Sequence, residues 1–429
     1  MATDIFDVIV VGGGPVGLAT AYEVAMTGAR VIVLEKNNFF NHAGSSNDLA
    51  RMFRTMYTED FMADLAKEAL GFWDGLEKDS GTSRRWMSGL LNFGDKNYGD
   101  KTSEVTAKEI ENRYPFKDLP AEWIGLHAPD NGIINVQLLL RTLLSLAKDY
   151  GARAEQHTDV KCIYPCESDS SIWEVHTIRH NTRASVFKAK KVVITLGSYV
   201  NHVLGPSFGI SLDLDIWEMV ASYFNCNAGP NGTMFPSMWF QFAPDKGGRS
   251  QLFYGFPTLP WGPANVARIA VDAATRRIKD PAERRAHVLN AEDIRDTQEF
   301  VKEHIIGVDS TVPVFTSSCL QTNVFDNMFV LDYVPQKYLR GGPKDSVVVF
   351  TAGWAMKFVP LLGKALAEMS LYGESKYARQ EFSITRRDPN TDKGIIIDGT
   401  EAGKQAESSF AFTQQASGSS IKGFHNTRS

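Results

Sequence analysis

Asp7-Val-Ile-Val-Val-Gly12-Gly13-Gly14-Pro15-Val16-Gly17-Leu-Ala, running on to Val31-Ile-Val-Leu-Glu35, decides the fold. Val8–Val11 is a short β-branched run suited to a strand buried on both faces. Gly12-x-Gly14-x-x-Gly17 follows at once, and Leu18–Thr27 has helical character up to Gly28, a C-cap residue. Val31–Leu34 reads as a second buried strand with Glu35 at its end. Strand, glycine turn, helix, strand and terminal acid together form a βαβ dinucleotide fingerprint. Gly12 permits the tight turn, Gly14 the approach of a pyrophosphate, and Gly17 close packing of helix on sheet. Pro15 and Val16 open the helix, whose free N–H groups and dipole favour an anion. Glu35 would accept from a ribose hydroxyl and repel a 2′-phosphate, which disfavours NADP and leaves NAD and FAD open.

Length and composition fit two or more ordinary domains: 429 residues, 43% hydrophobic and 11% aromatic. The net charge of −5 (45 basic against 50 acidic residues) suggests neither nucleic acid nor an anionic membrane as partner. No run approaches 18 apolar residues, so no transmembrane helix is expected. The first strand starts without a basic leader, and four irregularly spaced cysteines suit a reducing compartment, so a cytoplasmic location is expected. Cys162-x-x-x-Cys166 lacks a second ligand pair and reads as structural, with no metal expected. The final Thr-Arg-Ser is a poor peroxisomal signal.

Past Glu35, Gly44-Ser45-Ser46-Asn47-Asp48 reads as turn backbone, followed by Arg51 and Arg54. At helical i,i+3 spacing the two arginines share one face, either solvated or turned into a cleft as a carboxylate clamp. Further helices are expected over 60–77, 106–113, 136–150, 281–290, 293–304 and 360–371. Asn135 should cap the third of these. Lys191–Leu196 and Val347–Thr351 read as buried strands, each ending in a sharp turn, at Gly197 and at Ala352-Gly353-Trp354. From Leu212 to Thr322 the texture becomes alternating and aromatic, as in a mixed or antiparallel sheet that could build a substrate pocket. From Arg386 the chain is polar and aperiodic, and a disordered tail is expected.

These motifs, in this order, resemble the sarcosine-oxidase-like branch of the D-amino-acid-oxidase flavoprotein superfamily. The resemblance covers about residues 5–380. It rests on Gly12–Gly17 with Glu35; Gly44-Ser45-Ser46 with Arg51-x-x-Arg54; Asp130-Asn131-Gly132; Val192–Gly197; Cys319 with Phe329-Val330-Leu331-Asp332; and Thr351-Ala352-Gly353 with Lys357-Phe358. It implies an α/β, two-domain architecture: a Rossmann-like FAD-binding domain (1–88, 145–212, 325–385) interrupted by a substrate domain (89–144, 213–324), with 386–429 as the tail.

The resemblance also implies roles. Cys319 would join covalently to the flavin 8-methyl group. Arg51 would lie near flavin N5, and Arg54 and Lys357 would hold a substrate carboxylate. Ser45, Ser46, Gly197, Gly353 and the backbone of Val160 would complete the FAD contacts. Arg268 stands where relatives carry the lysine that assists oxygen, keeping the charge in a bulkier group. Trp354 resembles an active-site tryptophan of an oxidase that aromatises a cyclic imine; it could stack on a planar substrate or simply fill space. Asp272 replaces a histidine and favours an amine-rich substrate. The implied activity is oxidation of a C–N bond in an amino acid or secondary amine, with oxygen as acceptor and hydrogen peroxide as product, in a protein expected to be monomeric. A dehydrogenase serving an electron carrier and a flavin hydroxylase are the alternatives; the hydroxylases' late Gly-Asp motif is missing.

Overall fold

The computed structural model describes residues 4–55, 57, 59–96, 104–227, 234–285 and 291–399. The opening βαβ unit forms as its pattern demands. Ile5–Val11 leads into helix Pro15–Met26, and Val31–Leu34 returns parallel to the first strand. Both strands lie inside an eight-stranded sheet. Alternate residues of the first strand serve two apolar layers: Val8 and Val10 on one face, Ile9 and Val11 on the other. Helices Pro15–Met26, Val136–Asp149 and Val359–Tyr372 cover the first face, and Asn201–Phe208 with its neighbours covers the second. A strand with no wet face has no use for polar alternation, hence its unbroken apolar run.

The strand expected at 191–196 begins earlier and is part of Arg183–Ile194. Its first half pairs antiparallel with Asp169–Arg179 and its second half runs parallel to Ile5–Val11. Val347–Thr351 joins its far side through Val192–Ile194.

A nine-stranded, mostly antiparallel sheet forms the second layer. It contains Leu90–Asp95, Asp215–Asn225, Met238–Phe242, Phe253–Phe256, Val266–Val271 and Phe315–Asn323. Aromatic packing fills its core, with Phe93, Phe116, Phe235 and Trp239 in mutual contact. A three-stranded sheet of Ala50–Phe53, Gly132–Asn135 and Arg85–Trp86 completes the main framework.

Several expectations are corrected. Residues 50–53 form a strand, not a helix, because Arg51 pairs with Ile134 and Met52 with Ile133 in an antiparallel ladder. The expected boundary at 144/145 falls inside helix Val136–Asp149, whose buried face joins the core beside Pro15–Met26. Of the helix expected at 281–290, only the short turn Pro281–Glu283 forms, and 286–290 lie outside the described residues. The tail does not begin at 386: Ile396–Asp398 pairs with Ile210–Leu212, and Arg386 binds Asp326. Residues 400–429 lie outside the described residues. Among the described residues, no helix is long and apolar enough to cross a membrane.

Candidate active site

A cavity of about 460 Å³ runs from the glycine turn to the nine-stranded sheet. At its first end, Gly12 adopts φ +108°, and a Cβ there would lie 2.7 Å from the Thr195 carbonyl oxygen. A Cβ on Gly17 would lie 2.0 Å from the Gly12 carbonyl oxygen, so helix and turn touch backbone to backbone. Gly14 caps helix Pro15–Met26 without any side-chain hydrogen bond, and the first turn carries no acid. Its free N–H groups face the space lined by Gly12, Gly14, Pro15 and Val16, which suits a pyrophosphate.

Glu35 lies at the wall of this end, with Lys36 and Asn37 beside it. Its carboxylate accepts from Gly13 N at 2.9 Å, Asn37 N at 2.8 Å and Asn41 Nδ2 at 3.1 Å. Burial raises its pKa despite these donors. Glu35 therefore braces the glycine turn from the cavity wall. Ser45, Ser46 and Gly197 line the same cavity. Val160 does not: it packs in the apolar layer with Ile163 and Trp173.

At the other end, three separate chain segments deliver the charged groups. Arg51 sits in strand Ala50–Phe53 and Arg54 just past it, and both line the cavity. Helical geometry is not what brings them there. Arg268 and Asp272 come from strand Val266–Val271 and the residue next to its end. Arg268 is buried, with its guanidinium 4.8 Å from the Phe256 ring centre and 5.2 Å from that of Tyr254.

The sequence reading missed Asp48, which organises this end. It accepts from Tyr223 Oη at 2.7 Å, binds the Arg51 guanidinium, and lies 3.4 Å from Arg268 Nη2. Burial alone would raise the Asp48 pKa. The two guanidiniums and the tyrosine outweigh it and hold the carboxyl at about 2.

Lys357 lies on the short helical turn Ala355–Phe358, which feeds helix Val359–Tyr372. Trp73 Nε1 donates to its carbonyl at 2.7 Å and fixes the turn. Its Nζ is 5.2 Å from the Tyr57 ring centre, and Arg54 stands 5.6 Å from the same ring. Burial, reinforced by the Arg54 charge, pushes the Lys357 pKa well down. Burial pushes Asp272 up, against the pull of Arg54 and Lys357. Both shifts favour the neutral forms.

The turn before Lys357 is fixed by Gly353 at φ +71°, where a Cβ would meet the Phe329 ring at 2.5 Å. Gln321 Nε2 donates to the Gly353 carbonyl at 3.2 Å. Trp354 lines the cavity at 36% exposure, so it stands at the mouth rather than in the core. Cys319 is a free thiol on strand Phe315–Asn323, on the face shared with Ser317 and Gln321, all three lining the cavity. Leu320, on the alternate face, is buried in the core.

A glycine cradle that accepts no Cβ, an anion-ready helix start and a long cavity ending among cationic side chains define a dinucleotide-binding protein with a reaction chamber. The family "DAO: FAD dependent oxidoreductase" matches residues 7–369, and the chain belongs to it. Over 409 residues it is 47% identical to a Dictyostelium discoideum protein named as a bifunctional amine oxidase, covering 89% of this chain. The match spans 37% of that relative's length. Human peroxisomal sarcosine oxidase is 27% identical over 89% of this chain and 96% of its own length. Among solved structures, NikD, an amino acid oxidase of nikkomycin biosynthesis, superposes with TM-score 0.79 at 30% identity, covering 89% of this chain and 98% of that one. Glycine oxidase from Geobacillus kaustophilus shares the fold, with TM-score 0.68 at 19% identity.

Proposed function

We propose that this enzyme oxidises the C–N bond of a small amino acid or cyclic secondary amine bearing a carboxylate, yielding an imine and hydrogen peroxide. One observation carries the reading: Arg54, Lys357 and Asp272 converge at the end of the cavity that Cys319 also lines. Bound FAD would supply the acceptor for the electron pair leaving the carbon next to nitrogen. The glycine cradle and Glu35 would hold its pyrophosphate and ribose, and Cys319 would bond to its 8-methyl group. In this division of labour, the layer around the eight-stranded sheet, helix Val136–Asp149 included, carries the cofactor. The nine-stranded layer carries the substrate.

Arg54 offers a fixed fork to the substrate carboxylate. Lys357, driven toward the neutral amine in the empty site, takes up a proton at Nζ when that carboxylate arrives. Asp272, held toward its neutral acid by burial, offers a hydrogen bond to the substrate's polar end. Trp354 at the mouth shields the cavity and offers a face to a planar ring. Arg51 and Arg268 keep positive charge at the reacting end, where reduction of the cofactor and of oxygen builds negative charge.

The test is anaerobic mixing of the FAD-loaded enzyme with N-methyl, cyclic secondary and primary amino acids, followed by the loss of flavin absorbance. Bleaching by one class, with peroxide released on admitting air, supports the reading. A flavin that none of these reduces overturns it. A second reading has its own observation: Asp48 offsets part of the charge of Arg268. A carrier dehydrogenase would show rapid bleaching by substrate, slow reoxidation by air and fast reoxidation by quinone-type acceptors.

A further inference from the structure

The strand that carries Cys319 has one free edge. Phe315–Asn323 pairs with Asp215–Asn225 along its whole length, Met219 opposite Cys319, and pairs with no other strand among the described residues. An open edge presents unpaired carbonyls. Here those on either side of Cys319 are taken up by groups from elsewhere. Ser45 Oγ donates to the Leu320 carbonyl. Arg284 Nη2 donates to the Ser318 carbonyl at 2.5 Å and to Ser318 Oγ at 3.0 Å. The other arm of the same guanidinium, Nη1, donates to the carbonyls of His42 and, at 3.3 Å, of Gly44. Tyr199 Oη holds the intervening Ala43 carbonyl at 3.2 Å.

Arg284 is itself delivered with care. The turn Pro281–Glu283 is capped by Asp280, which exchanges hydrogen bonds with Glu283 and Ala282. The next residue, Arg285, donates its N–H to the buried carboxylate of Glu218 at 2.9 Å. The guanidinium is thus pinned from behind and directs both Nη groups to two segments that no strand pairing joins: the 42–44 loop near the glycine turn and the Cys319 strand. Lysine could not span them, because one ammonium lacks the two-armed geometry.

We propose that Arg284 is a positioning residue for the Cys319–flavin link. It fixes the distance between the loop that seats the cofactor and the strand that presents the thiol. The inference rests on the covalent reading of Cys319 given above. In that link, Cys319 Sγ bonds to the 8-methyl carbon. One S–H and one C–H bond break, and the electron pair with two protons passes to dioxygen as hydrogen peroxide.

The test follows FAD-reconstituted wild type, Arg284→Gln and Arg284→Lys over time. Total bound FAD is read from absorbance of the native protein. The covalent fraction is read from flavin retained after acid precipitation and from intact mass. Expected are near-equal FAD occupancy in all three and linkage slowed at least fivefold in both variants. Wild-type linkage rates in Arg284→Gln overturn the proposal. Recovery of the rate in Arg284→Lys overturns it too, since charge alone would then suffice. Loss of FAD binding in both variants likewise overturns it, assigning Arg284 to binding instead. Wild type that releases all its flavin defeats the covalent reading of Cys319 itself, an outcome distinct from the other three.

Discussion

Asp48 shows how one carboxylate sets the character of the cationic end. It is nearly inaccessible and bound to Arg51, Arg268 and Tyr223. Removing its charge leaves the buried Arg268 and half-buried Arg51 guanidiniums without their shared partner. Asp48→Asn is therefore expected to destabilise the protein by about 3–5 kcal/mol at pH 7, read from denaturant midpoints. The native pKa of about 2 lies below the ordinary 3.8, so the carboxylate's contribution is present above 3.8 and fades as pH falls toward 2. The gap between wild type and variant should close over that window; a pH-independent gap would show that lost packing, not lost charge, is responsible.

Lys357 works in the opposite sense. Its pKa lies well below 10.5, so folding expels a proton wherever the pH falls between the two values. Burial there costs stability, and the cost shrinks as pH rises toward 10.5. Lys357→Met is expected to gain about 1–3 kcal/mol at pH 7, less at pH 9–10, while losing affinity for carboxylate ligands. In the wild type, carboxylate binding should take up a proton. Calorimetry in buffers of different ionisation enthalpy reads that uptake directly, and affinity should fall with rising pH. A binding enthalpy independent of buffer would sink the assignment.

At the scale of elements, the same substitution should have opposite effects in two helices. A Cβ at Gly17 collides with the Gly12 carbonyl at 2.0 Å, so Gly17→Ala is expected to push helix Pro15–Met26 off the turn and abolish FAD retention. Gly71, within helix Asp60–Ser80, has nothing within 4 Å of that position. Gly71→Ala should add about 0.5–1 kcal/mol of stability through helix propensity, without touching the cofactor. Thermal melts and bound-flavin absorbance separate the two.

The glycine turn was legible because its pattern is local: Gly17 answers a clash with Gly12, five residues before it, and strand, turn, helix and strand follow one another within a single unit. The cationic end was legible only in part. Arg51 and Arg54 were singled out for a helical spacing that the strand Ala50–Phe53 does not have. Their convergence instead comes from pairing with Gly132–Asn135, some eighty residues on. Asp48 passed as a turn residue because its meaning depends on Arg268, 220 residues away. Arg284 gave no signal for the same reason: carbonyl acceptors are present at every residue, and only tertiary placement selects them.

At the scale of the whole molecule, the segment after residue 382 acts as a strap. Asp332 accepts from Ser383 Oγ at 2.6 Å and Ile384 N at 3.0 Å, and Arg386 grips Asp326 with both arms at 2.8 and 2.9 Å. Ile384 and Ile395 both lie in the apolar layer on the second face of the eight-stranded sheet. Ile395 buries itself in the core, its carbonyl accepts from Asp213 N at 2.8 Å, and Ile396–Asp398 pairs with Ile210–Leu212. That connection leads directly into Asp215–Asn225, the strand that supports both Cys319 and Arg268. Polar composition concealed the strap, since two buried isoleucines eleven residues apart, Ile384 and Ile395, and a three-residue pairing leave no periodicity to read. Ending the chain after Arg386 removes Ile395 and the pairing but keeps the grip on Asp326. Against a chain ending at Gly399, this truncation is expected to cost about 2–3 kcal/mol, a drop of a few degrees in Tm. Because the lost pairing borders the strand beneath Cys319, hydrogen exchange at Ile210–Asn225 should rise in the shorter chain. Equal Tm and equal exchange in the two chains would show that the strap lies passively on the surface and contributes nothing to holding the two sheets in register.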